Sequence, residues 1–119
     1  MTLKNKKVCI YLCQWIKNPH DKIALCVCDK QSFLFWFNSS AAFHGHGQLA
    51  IAAGEHPAIT KGCYLDLSGI KGISSSEATA ARDRGPISDA LKARVLAALA
   101  NPIATLPEAH RNLALQNLS

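Results

Sequence analysis

No apolar run in this 119-residue chain approaches the about 20 residues that a membrane-spanning helix needs, so a soluble protein is expected. The chain also has no Walker loop, dinucleotide fingerprint, nucleophile elbow or paired-carboxylate constellation. It has no internal repeat, low-complexity segment or heptad pattern, which removes solenoids and coiled coils. Cys26-x-Cys28 is not the spacing of a zinc knuckle. Charged residues are scarce at 18%, whereas apolar ones make up 49%, a composition that folds rather than one that stays disordered. At this length one domain, residues 1–119, with a single core is expected.

The first residues are basic, with Lys4, Lys6 and Lys7 and no apolar signal core behind them. With five cysteines, an odd set, this points to a reduced, cytoplasmic setting. Cys9, Cys13, Cys26 and Cys28 sit inside apolar runs and read as buried, inert thiols. Acidic side chains are the minority, 8 against 13 Lys and Arg, for a net charge of +5. That balance suits an acidic partner such as nucleic acid, and it equally suits a solvated surface.

What is present is a series of short apolar runs. Residues 7–16 are dense in β-branched and aromatic side chains and end at Asn18-Pro19, which predicts a strand. Residues 23–28 and 33–37 predict two more, joined by a polar turn at 29–32. These runs are apolar almost without alternation, so both faces of their sheet should be covered. Residues 49–52 predict a weak fourth strand and 63–70 a fifth, and the stretch between strands three and four, rich in Asn, Ser, Gly and His, reads as a loop. Trp15 and Trp36 lie in apolar runs and read as core residues, which leaves Phe43 in the loop as the better stacking candidate.

Helix signals are confined to the last third. Ser74-x-x-Glu77 has the form of a capping box, and Arg82-Asp83-Arg84-Gly85-Pro86 reads as the stop of that short helix. Ser88 caps a second helix near 89–100, with Leu91, Val95, Ala98 and Leu99 on one stripe. Thr105-x-x-Glu108, with Pro107 in its first turn, opens a third whose main apolar residues are Leu113 and Leu118. The sum is an α+β domain: a small curled antiparallel β-barrel of about five strands over residues 7–73, then two to three short C-terminal helices over 75–118. A parallel sheet is disfavoured because the first strands lack crossover helices.

Four segments resemble the MazF/PemK family of small bacterial toxins, which are SH3-like or CcdB-like barrels. Lys22-Ile23-Ala24-Leu25-Cys26-Val27 resembles the basic start of that family's second strand, and Phe37-Asn38-Ser39-Ser40 the Thr-Ser end of its third. Lys61-Gly62-Cys63-Tyr64-Leu65-Asp66 resembles a later strand, and Arg84-Gly85-Pro86-Ile87-Ser88 with Leu91 and Val95 a helix start. The resemblance implies a metal-independent endoribonuclease that cleaves single-stranded RNA through the ribose 2′-hydroxyl. It also implies a cognate antitoxin and a homodimer, with Lys22 and Ser39 as the carried-over catalytic residues. Lys22 stands where the family has Arg. An ammonium is a point charge and cannot grip two phosphate oxygens as a guanidinium fork does.

The residues add further candidates. His46, flanked by glycines that let a backbone approach, is the candidate general base or acid beside a phosphodiester. Lys22, Phe43, His44, His56 and Lys61 are the candidate RNA-binding residues; Lys22, Ser39, His44 and His46 are expected around one groove, with His56 facing the same groove. No cofactor or metal is assigned, although His44 and His46 with Glu55 or His56 have the types for a transition-metal site. A reading of another class is a non-enzymatic interaction module of a phage or mobile element, in which Phe43 rather than Lys22 carries the binding energy.

Overall fold

The near-continuous apolar strands are explained by layers on both of their faces. The computed structural model describes residues 3–119. Strands β1 (Lys7–Cys13), β2 (His20–Cys28) and β3 (Phe33–Asn38) form an antiparallel meander at the centre of one sheet. Because successive side chains point to opposite faces, Leu25, Val27, Phe35 and Phe37 enter one core and Cys9, Tyr11, Cys13, Ala24, Cys26 and Leu34 the other. The first core lies under α2 (Asp89–Leu99) and α3 (Glu108–Leu118), which contribute Leu91, Val95, Leu99, Ala114 and Leu118. The second lies under the short α1 (Ser75–Ala80), which contributes Ala78.

The remaining strands are β4 (Gln48–Ile51), β5 (Cys63–Asp66), β6 (Lys71–Gly72) and β7 (Arg82–Pro86). The order is β4-β5-β3-β2-β1-β7, with β6 on the other half of β3's free side. The expected α+β class holds, but the five-strand barrel is corrected to an open antiparallel sheet of seven strands. β4 and β7 end this order, and among the described residues no ladder joins them. The two extra strands carry little apolar signal, β6 having two residues and β7 the sequence RDRGP on an exposed edge. The segment read as a helix stop therefore returns to the sheet beside β1.

A side chain spans the gap that no ladder closes. His56, in the turn after β4, accepts a hydrogen bond at Nδ1 from the Ala58 amide (3.0 Å). Its Nε2–H donates to the Gly85 carbonyl on β7 (3.1 Å). Both ring nitrogens are thus committed to backbone groups, and the residue is 2% exposed. Nearby, Arg94 of α2 donates to Glu55 and to the Ala50 carbonyl, so the β4 edge is partly covered.

The helix starts follow local chemistry. Ser74 and Glu77 form the reciprocal capping box, and the Ser88 hydroxyl accepts from the Leu91 amide (3.1 Å). The third start is corrected. Pro107 holds the cap position without a side-chain hydrogen bond, so Glu108 is the first helical residue and not the third, as a Thr105 box requires. Arg111 donates to the Leu99 carbonyl (3.0 Å), which ties α3 to the end of α2, and Asn117 donates to Val27 on β2 (2.8 Å).

Burial pushes the Glu77 carboxyl up, but donation from the Ser74 amide and hydroxyl and from the Trp15 indole holds it below its ordinary value. A depressed folded pKa contributes stability that is present above the unfolded carboxyl's pKa and is lost as pH falls through the folded one. Acid titration followed by near-ultraviolet circular dichroism should therefore show Trp15 and α1 loosening below the usual carboxylate range. Glu77→Gln should abolish that step.

Candidate functional site

A cleft of about 320 Å³ opens where β2 begins and β3 ends, with residues 59–63 as its far wall. Its apolar floor is Ile23, Phe37, Ile59 and Cys63, and its rim carries Lys22, Asn38, Ser39 and Lys61 beside His20 and Thr60. β2 starts three residues earlier than the apolar pattern suggests, at His20, so polar side chains are carried on a rigid strand and not on a free loop. Alternation on that strand puts His20 and Lys22 on the same side.

The Lys22 ammonium donates to Asn38 Oδ1 (2.9 Å) and lies 4.5 Å from the centroid of the Trp36 ring. Partial burial pulls its pKa below the ordinary lysine value, and the charge of Lys71 pulls in the same direction. A cation fixed by an amide and a ring face, and stripped of part of its water, meets an incoming phosphate at low reorganisation cost. Lys61, Ser39 and Thr60 are exposed and free to turn toward a ligand.

His20 holds its orientation through Nδ1, which donates to the Asn18 carbonyl (2.7 Å). Nε2 is then the lone-pair nitrogen, as a general base requires. Asp21 between them is paired with Arg82 of β7 (2.8 Å), so its charge is met outside the rim. Burial, followed by the charge of Glu55, pushes the Cys63 thiol up, which removes it as a thiolate nucleophile.

The structure brings together three of the expected residues, Lys22, Ser39 and Lys61, and keeps the others apart. Ser39 follows Asn38, which pairs with Tyr64, and so lies near the Cys63 end of β5. The histidine loop is anchored at the opposite end, where the Leu67 amide donates to the Gly47 carbonyl (2.8 Å) and Gln48 bonds both Asp66 and the His46 carbonyl. Four residues of extended chain separate Cys63 from Leu67, about 13 Å. His44 and His46 stack on each other with ring centroids 5.2 Å apart, and Phe43 beside them is fully exposed. None of the three lines the cleft, so the single groove expected from the sequence is corrected.

Gly47 holds the loop in place for a steric reason. Its φ is +65°, and a Cβ there would stand 3.0 Å from the Leu67 and Ser68 backbone. His56, expected at the RNA surface, is the buried latch described above. Among the described residues no group of three His, Cys, Asp or Glu side chains is disposed to hold a metal ion.

His20 is the rim residue that sequence reading passed over. The available signal was its position two residues before Lys22, on one side of any extended segment. Trp15, expected in the core, is instead 82% exposed, because β1 ends at Cys13 before reaching it. Comparison of the chain with protein-family models, with curated proteins and with solved structures gave no match. Among the described residues no helix is long and apolar enough to cross a membrane.

Proposed function

We propose that this protein is a metal-independent endoribonuclease that holds the backbone of single-stranded RNA in the cleft at the start of β2. The observation that carries this reading is that two lysines, two hydroxyl side chains and an oriented imidazole, Lys22, Lys61, Ser39, Thr60 and His20, all line one cleft at the start of β2. Phosphodiester cleavage through the ribose 2′-hydroxyl needs a base for the hydroxyl proton, positive charge on the non-bridging oxygens and a proton for the departing 5′-oxygen.

In this reading Nε2 of His20 takes the 2′-hydroxyl proton. The 2′-oxygen forms its bond to phosphorus as the bond to the 5′-oxygen breaks. Lys22 and Lys61 bear the phosphate charge, and the Ser39 hydroxyl donates to a non-bridging oxygen. The partly dehydrated Lys22 ammonium, or water beside it, supplies the proton to the leaving 5′-oxygen. The products are a 2′,3′-cyclic phosphate and a 5′-hydroxyl. The role given to His46 from the sequence thus passes to His20. A cytoplasmic toxin acting as a homodimer, with an antitoxin segment that occludes the cleft, belongs to the same proposal.

The test is incubation of purified protein, in chelator, with mixed-sequence single-stranded RNA beside His20→Ala, Lys22→Ala and His46→Ala. Cleavage lost in the first two and retained in the third is expected; intact RNA at high protein concentration contradicts the reading. Binding should weaken with salt at about 0.7 log units per log unit for each phosphate contact, and Lys22→Ala or Lys61→Ala should each remove about one such contact. A second reading, the non-enzymatic interaction module, draws on one observation, the full exposure of Phe43. It requires Phe43→Ala to abolish partner capture while Lys22→Ala leaves it unchanged.

A further inference from the structure

A second cleft, of about 300 Å³, lies on the α1 side of the sheet, lined by Tyr11, Trp15, Trp36, Lys71 and Glu77 among others. Two aromatic rings in its wall are fixed by hydrogen bonds. Trp36 Nε1–H donates to the Tyr11 hydroxyl (2.7 Å), and Trp15 Nε1–H donates to Glu77 Oε1 (3.2 Å). Glu77 is itself locked, because the same oxygen accepts from the Ser74 amide (3.1 Å) and hydroxyl (3.0 Å). An indole that is 82% exposed and yet tethered at its nitrogen offers an apolar face to solvent at little entropic cost.

Trp36 lines the second cleft and not the first, and Lys22 connects the two. The Lys22 ammonium, on the rim of the first, lies 4.5 Å from the Trp36 ring centroid, and that of Lys71, on the wall of the second, 4.8 Å from it. Neither forms an ion pair with a carboxylate among the described residues. Two like charges on one ring repel each other, so an anion between them relieves the repulsion. The same pair argues against a cationic ligand, which an aromatic wall would otherwise suit.

We propose that the second cleft takes the base of the nucleotide next to the scissile phosphodiester, stacked on the Trp15 indole, with the linking phosphate between Lys22 and Lys71. This rests on the ribonuclease reading of the first cleft. It extends the site from one phosphate to a track of alternating charge and ring, as single-strand binders use. Stacking tolerates any base, so the subsite contributes affinity and register more than sequence choice.

The probe is a mixed-sequence single-stranded RNA hexamer with 2′-fluoro sugars, which lacks the nucleophile. It is titrated into the full chain with tryptophan fluorescence as one readout and isothermal calorimetry as the other, calorimetry giving the affinities of the Trp15 variants, and with inorganic phosphate as the control. The hexamer should quench Trp15 emission and phosphate should not. Trp15→Ala should weaken binding by roughly 5- to 150-fold, and Trp15→Phe, which keeps a stacking ring, should recover most of it. Lys71→Ala should weaken binding in the wild-type chain and in Trp15→Phe. Unchanged affinity in Trp15→Ala, with binding still lost in Lys22→Ala and Lys61→Ala, overturns the second cleft and leaves the first standing. A wild-type protein that does not bind the hexamer overturns both.

Discussion

Replacing His20 with alanine is expected to lower the rate of RNA cleavage by about 10²- to 10⁴-fold, the usual contribution of a positioned general base. The residue is exposed and among the described residues its ring bonds only the Asn18 carbonyl, so the fold should not notice the change. RNA affinity should be almost unaffected, because His20 supplies no formal charge to the phosphate in its basic form. His20→Ala should therefore reduce kcat and leave KM near wild type. Lys22→Ala should raise KM as well, since its ammonium is the fixed cation of the rim. A His20→Ala protein that cleaves normally would remove the imidazole from the mechanism.

The second large effect concerns the latch between the sheet edges. His56→Ala leaves the Ala58 amide without its partner at a buried position and the Gly85 carbonyl without its partner at a part-buried one. A buried polar group left unsatisfied costs about 1–3 kcal/mol, and the part-buried carbonyl adds less than that, so the change should cost roughly 1–4 kcal/mol. That is a large part of the 5–15 kcal/mol that typically holds a domain together. Urea unfolding should show a lower midpoint with little change in slope. His56→Gln keeps one donor and one acceptor and should lose less. The folded Gln variant should bind and cleave RNA as wild type does, which separates the latch from the RNA-binding role that the sequence suggested for this histidine.

Sequence patterning made the central meander readable because Val8, Leu25, Val27, Phe35 and Cys26 belong to strands buried on both faces. Caps at Ser74 and Ser88 were legible because they depend on side chains a few residues apart. β7 was not, since an edge strand needs only backbone pairing and RDRGP shows no alternation to read. The openness of the sheet was hidden for the same reason, as closure depends on which backbone edges meet.

At the site, Lys22, Ser39 and Lys61 were legible as polar residues bordering apolar strands. The distance between His46 and Ser39 was not, because it is set by the register of β5 against β3 and β4. Trp15 was misplaced because composition cannot locate the residue at which a strand leaves its ladder.

The central claim is that RNA backbone lies in the cleft at the start of β2. Amide chemical-shift mapping with the 2′-fluoro hexamer tests it most directly. Shifts concentrated at residues 20–23, 37–39 and 59–63, with the loop at 43–46 unmoved, are the expected result. Shifts confined to the loop at 43–46, or none at saturating hexamer, would contradict it.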